Sequence, residues 1–412
     1  MRKMKDSGVE WIGEIPVDWK LSKIGSVYDE RNEKVSDKDF APLSVTKQGI
    51  VPQLETAAKT DNGDNRKLIR KDDFVINSRS DRRGSCGISE YEGSCSLINT
   101  VLKPQTNMCN RYYGFVFKSD GFADEYYRWG HGIVDDLWST KWIDMKSIYI
   151  PAPDITEQER IADYLDAKCS KIDKIIEKQQ AIIEKLKEYK LSTISETVTK
   201  GLNRNVEMKD SQDDFVGAIP CHWEILKFGR CISVKSNLVP PDDYKDYLQI
   251  SPDCIEKGAA RLVGHKTVEE SGVISWNHLF FKGQIIYSKI RPLLDKVVIA
   301  PFDGLCSADM YPIETSNNPK FVVYMMLSAY FHSQVALVTE NRVKMPKINQ
   351  NELTNITVVM PPMEEQKEIV EWLDRKCDEI DKNISARKLL IEEYIEYKKS
   401  LIYEVVTGKK EV

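Results

Sequence analysis

The sequence has few of the features that announce catalysis or export. Its five histidines are scattered singly and none of its nine cysteines forms a CxxC pair, so no metal site is expected. An odd number of cysteines in a chain of 412 residues reads as reduced thiols in a cytoplasmic protein. No run approaches the roughly 18 apolar residues of a membrane span. The opening MRKMKDSGVEW lacks the apolar stretch of a secretory signal, so no export and no membrane are expected. Neither a GxxxxGK[ST] phosphate loop nor a GxSxG nucleophile turn occurs. An excess of basic charge is also missing. The net charge is −5, and residues 1–150 hold 23 basic and 23 acidic side chains. A nucleic-acid binder with this balance must use local patches, and a partner must supply much of the phosphate neutralisation.

Two apparent motifs fail on their chemistry. The tetrapeptides VPPD (239–242) and MPPM (360–363) lack the amide and aromatic ends of an amino-methyltransferase motif and read as turns. Pro153, Asp154, Asp166 and Lys168 imitate a nuclease signature. Asp166 and Lys168 fall about three turns along a helix from Asp154, where they cannot share one metal with it. The chain reads as non-catalytic.

What is present is a repeat. Residues 157–199 fall on 365–407 without a gap, and 21 of the 43 pairs are identical. Near the start GEIPVDW (13–19) answers GAIPCHW (217–223), and EGSCS (92–96) answers DGLCS (303–307) at an offset of 211. The chain is a tandem duplication of a variable block followed by a well-matched helical block. The boundaries fall at 1–150, 151–204, 205–360 and 361–412.

Each helical block opens with proline and acidic residues, as the exposed N–H groups of a first turn favour. Thr156 is the expected N-cap, with Glu159 as its capping-box partner. Apolar residues then recur at helical spacing: Leu165, Ile172, Ile176, Ile183 and Leu186, then Leu373, Ile380, Ile384, Ile391 and Tyr394. Gly201 and Gly408 mark the ends. A single such stripe packs against its own domain. Two matched stripes most simply bury against each other, as an antiparallel coiled coil with the variable blocks near its opposite ends. The variable blocks mix β-like runs (72–78, 147–153, 283–289, 296–301) with helical stretches at 111–128 and 321–338. The expected fold class is α+β: two α/β domains in pseudo-two-fold tandem, separated by two long helices.

Basic loops are the remaining chemistry. The first block carries NSRSDRRGS (77–85), with Ser78, Arg79, Arg82 and Arg83 directly after a predicted strand. The second carries YSKIRPLLDK (287–296), with Ser288, Lys289 and Arg291, and then Arg342, Lys344 and Lys347. Arginine grips phosphate or the guanine edge through two hydrogen bonds, and serine adds polar contacts. Any one such loop is most simply a solvated surface. Two at corresponding places in a duplicated chain favour DNA.

The layout resembles the specificity subunits of type I restriction–modification enzymes. The resemblance rests on W-x-G-x-I-P-x-x-W (11–19), YSKIRP (287–292) and the paired blocks opening PAPDITEQERIADYLD (151–166) and MPPMEEQKEIVEWLD (360–374). It implies two target-recognition domains, each reading one half of a bipartite double-stranded DNA sequence. The helices would set the gap and dock two modification (methyltransferase) subunits. No cofactor is expected in this chain; S-adenosylmethionine would belong to those subunits, and restriction (motor-nuclease) subunits would complete the complex. A coiled-coil scaffold that never touches DNA, or a stand-alone DNA-binding regulator, are the other classes. Salt-dependent, sequence-selective binding that needs a methyltransferase partner separates the three.

Overall fold

A computed structural model describes residues 2–54, 63–132, 138–340, 342 and 346–412. The chain divides into two compact units, Met1–Gln179 with Lys388–Val412, and Gln180–Arg387. Two long helices join them: Ile155–Lys200, of 46 residues, and Met363–Val406, of 44. Each ends at a glycine in the left-handed region, Gly201 at φ +70° and Gly408 at φ +71°, which a side chain would strain. The first helix begins two residues earlier than its pattern suggests. Asp154, not Thr156, is its cap, and the Asp154 carboxylate accepts from the Glu157 N–H at 2.9 Å.

Within the first unit Leu165, Cys169 and Ile172 share a core with Leu401, Ile402 and Val405, flanked by Ile176 and Tyr394. The Tyr112 hydroxyl reaches the carbonyls of Pro151 and Val406 at 3.3 and 3.1 Å. The start of one helix therefore lies beside the end of the other, and the segments are antiparallel. Lys398 closes the pair on Asp173 at 2.7 Å. The second unit repeats this with the copies exchanged. Ile194 and Val198 pack with Leu373 and Cys377, and Lys190 donates to Asp381 at 2.7 Å. Ile183, Ile380 and Ile384 are buried; Leu186 and Ile391 are half-buried. The first turns of each stripe serve the domain core as well as the opposite helix.

Each domain has its own four-stranded sheet, built in the same order. In the first, the strand order is Cys86–Ile88, Phe74–Asn77, Asn99–Pro104, Tyr28–Glu30; in the second it is Val297–Ile299, Ile285–Ser288, Met310–Thr315, Ile232–Val234. A smaller sheet built on Arg66–Ile69 and Gly93–Cys95 matches one built on Asn277–Phe280 and Gly304–Cys306. Here the copies part. Leu248–Ile250 runs parallel to Gly304–Cys306 as a full strand. The first domain keeps only a parallel bridge from Pro42 to Ser94, then a hairpin of Leu43–Thr46 with Gly49–Pro52.

The helical stretches are each broken in two, Asn110–Lys118 and Asp120–Arg128, then Pro319–Met326 and Ala329–Thr339. Ser119 and Ser328 adopt extended backbone at the breaks, with ψ 143° and 153°. The apolar pattern runs across each break because both pieces face the same core. Among the described residues no single helix is long and apolar enough to cross a membrane.

One clamp recurs in both units and explains two sequence motifs together. The indole N–H of Trp19 donates to Glu157 at 2.9 Å, and that of Trp223 to Glu365 at 3.0 Å. The next residue ties the same helix to the domain. Gln158 accepts from the Cys109 N–H and donates to the Pro153 carbonyl; Gln366 accepts from the Asn318 N–H and donates to the Pro361 carbonyl. The Glu-Gln pair of each helical block and the I-P-x-x-W segment of each domain are two halves of one buried joint.

Candidate nucleic-acid interface

The basic loops follow matching edge-to-centre strands, and hydrogen bonds fix both in the same frame. The Asn77 N–H donates to the Ser85 carbonyl and the Ser288 N–H to the Lys296 carbonyl, both at 2.9 Å. A second segment then crosses each turn. Ser80 N–H meets the Trp138 carbonyl and Thr140 N–H the Ser78 carbonyl, at 3.0 Å each; Arg291 N–H meets Pro346 at 2.8 Å and Ile348 N–H meets Lys289 at 2.9 Å. These bonds bring residues 346–348 against the turn at 288–295. Lys344 lies outside the described residues.

In this register Ser78 and Ser288, which match by residue type, fall one residue apart. Asn77 corresponds to Ser288, Ser78 to Lys289 and Ser80 to Arg291. Arg79, Arg82 and Arg83 stand where the second turn has Ile290, Leu293 and Leu294. The two turns place their cations at different points of one frame.

The side chains sort by freedom. Ser78 and Ser288 are buried, and their hydroxyls donate to the Ile98 and Ile290 carbonyls. Both serines shape the turn through these bonds. Arg342 is held by Glu352 and by the Lys347 carbonyl, and the guanidinium keeps the Glu352 carboxyl below its usual pKa. Lys347 donates to Asp309 at 2.9 Å. Both already neutralise a carboxylate and brace the crossing loop. Arg83 pairs with Asp124, and Arg82 lies 3.4 Å from Asp81. Lys289 sits over the Tyr311 ring at 5.3 Å, half-buried. Arg79 and Arg291 are exposed, and among the described residues neither forms an ion pair.

Arg291 is also strained. It sits at φ +46°, ψ +54° immediately before Pro292, a conformation that costs a non-glycine residue about 1–3 kcal/mol. Asp295 closes the turn at φ +48°, where the first domain places Gly84 at φ +76°. His332, from the helix Ala329–Thr339, lies 2.8 Å from the Asp295 carboxylate. That bond raises the imidazole pKa above its ordinary value, against partial desolvation. Nearby His278 is driven the other way, by burial first and by Lys289 second. Asp295 and His332 do not stand out in the sequence; the 211 offset from DGLCS, carried into the turn, would have aligned Asp295 with Gly84. Among the described residues no three His, Cys, Asp or Glu side chains gather as a metal site.

The fold and this pair of turns define a class: a duplicated, two-domain protein that presents one frame twice with different cations. Residues 234–390 match the type I restriction modification DNA specificity domain. The chain is 34% identical over 260 residues to the EcoDI type I restriction enzyme specificity subunit of Escherichia coli, covering 59% of this chain and 58% of that one. It is 24% identical to a Methanocaldococcus jannaschii protein named for the type I restriction enzyme MjaX specificity subunit, over 97% of this chain and 95% of that one. In fold it matches a chain solved in work on complex assembly and conformational transition of the type I restriction–modification system, at TM-score 0.73 and 12% identity, over 96% of this chain and 99% of that one. It also matches the HsdS subunit from Thermoanaerobacter tengcongensis, at TM-score 0.52 and 14% identity, over 96% and 98% of the two chains. Residues 234–390 thus match this DNA specificity domain, and along its length the chain is similar to type I restriction enzyme specificity subunits.

Proposed function

We propose that this chain is the non-catalytic DNA-reading subunit of a type I restriction–modification complex, each domain reading one half of a bipartite double-stranded target. The observation that carries this is the pair of equivalent turns. Their backbones are held by the same hydrogen bonds, yet their exposed cations differ, as two readers of two different half-sites require. Arg291 and Arg79 are the leading contact residues, and Arg82 and Lys289 support them. The near-neutral charge of each domain means that partners contribute much of the phosphate contact.

The partners are two modification subunits, since the helical block and its buried joint occur twice, and restriction subunits in the full complex. S-adenosylmethionine belongs to the modification subunits. The helices set the spacing between half-sites. Four residues inserted at Gly201 add about one turn, 5–6 Å, so the preferred gap grows by one or two base pairs while the bases read in each half stay the same. Mapping methylated adenines in cells that make the chain with its modification subunits tests the reading. A two-part recognition site is expected. Methylation by the purified chain alone, or sequence-independent methylation by the complex, would contradict it.

A further inference from the structure

The first domain contains a groove of about 870 Å³ between its basic turn and the hairpin Leu43–Thr46/Gly49–Pro52. Its floor is Asn77 and Asn99, directly opposite each other on antiparallel strands, at 8% and 5% exposure. Arg79 and Arg82 line one side, and Gln48 lines the other from the hairpin tip. Asn99 belongs to no loop that the sequence singles out, and Asn77, which opens the basic loop 77–85, reads as the end of its strand.

Three features set this floor apart from packing. Asn99 Oδ1 is buried and has no hydrogen-bond partner among the described residues, a state that native interiors rarely tolerate. Asn77 Oδ1 accepts from the Arg79 N–H at 3.1 Å, which fixes the amide and leaves its NH₂ as the end available to a ligand. At the matching places the second domain has Ser288 and Met310, paired on the same strands. The strand frame itself therefore needs neither amide.

We propose that Asn77 and Asn99 are specificity-determining residues of the first domain, the floor of a base-reading groove that takes an adenine. The Asn77 NH₂ supplies a donor for adenine N7 and the unpartnered Asn99 Oδ1 an acceptor for N6, the complementary pair that adenine presents. Arg79 and Arg82 hold the flanking phosphates, and Gln48 closes the far side with a second amide. The proposal rests on the DNA-reading role above and names the chemistry of one half-site.

The test uses the full complex with its modification subunits and reads methylated sites genome-wide. Asn77→Ser and Asn99→Met introduce the residues that the second domain carries in the same frame, and Gln48→Ala changes only an exposed hairpin tip. Discrimination at an adenine position in one half-site should fall about ten- to a hundredfold in Asn77→Ser or Asn99→Met. The other half-site should remain as in the unaltered complex, which also reports that the variant folds and assembles. If Asn99→Met fails to assemble, Asn77→Ser and Gln48→Ala decide. An unchanged first half-site in every variant that assembles overturns the groove assignment. Absence of any two-part site with the unaltered chain overturns the functional reading instead.

Discussion

At the end of the strand that leads into each basic turn the first domain has Asn77 and the second has Ser288; across from them stand Asn99 and Met310. Elsewhere the two domains repeat a contact almost unchanged, the Trp19–Glu157 and Trp223–Glu365 bonds measuring 2.9 and 3.0 Å. Divergence and identity are sorted by place. The joint that ties each domain to its helix keeps its Trp, Glu and Gln in both copies, because the same helical block must be buried twice. The strand ends, the turn and the neighbouring edge vary in their side chains, while the backbone hydrogen bonds of the frame stay the same. A duplicated protein that read one symmetric sequence would have no reason to keep these turns so different.

The largest effects should come from breaking the shared joint. Trp19→Ala and Trp223→Ala should each cost about 3–5 kcal/mol, the range for a buried aromatic. Denaturant unfolding, with hydrogen exchange resolved by domain, should show similar losses, each centred on its own unit. A silent variant at either position would mean that the two frames are not equivalent.

Replacing Arg291 by alanine should act on the difference between the domains. If it reads a base, discrimination in one half-site should weaken by about 1–3 kcal/mol. If it holds a phosphate, affinity should fall evenly across sequences and the salt slope should flatten by about one unit. Titrating the complex on matched and mismatched duplexes at several salt concentrations separates the two. No change in either quantity removes Arg291 from the interface, and Arg79→Ala answers the same question for the other domain.

The His332–Asp295 bond sharpens the comparison, since the first domain closes its turn with Gly84. The folded imidazole pKa is raised above its ordinary value. The stabilisation is therefore complete below the unfolded pKa of about 6.5 and is lost as pH rises through the folded value. Asp295 is the group that favours the charged ring, and Lys257 opposes it. The stability difference between the unaltered chain and His332→Ala should be larger at pH 6 than well above neutrality. A difference that does not vary with pH would assign His332 to packing alone.

The smallest effect belongs to the exchanged ion pairs. Lys190→Ala and Lys398→Ala should each cost about 0.2–1 kcal/mol, as partly exposed pairs do, and by similar amounts. Unequal losses in thermal unfolding would place one pair in a tighter setting than the other.

How much of this was legible follows from what each signal needs. The long helices show in the sequence because a 3.6-residue stripe recurs twice and ends at Gly201 and Gly408. The cap was displaced from Thr156 to Asp154 because both residues suit the role and only the backbone decides. The helical stretches at 111–128 and 321–338 hid their breaks, since Ser119 and Ser328 interrupt the backbone without interrupting the apolar pattern. The register of the two turns was hidden for a related reason. Pairing Ser78 with Ser288 matches letters, whereas the strands pair Asn77 with Ser288, and one step along a strand turns a side chain to the other face. Asn99 and Gln48 could not be found at all without the hairpin and the cross-strand partner that bring them to one groove. The Trp–Glu–Gln joint was visible only as two separate motifs, because more than 130 residues lie between its parts.

The most direct measurement is a methylome comparison of three complexes, one with the unaltered chain, one with Arg291→Ala and one with Asn77→Ser. Two independent readers predict a two-part site in the first, with Arg291→Ala changing the bases accepted in one half and Asn77→Ser those in the other. A single continuous site, or both substitutions altering the same half, would contradict the account.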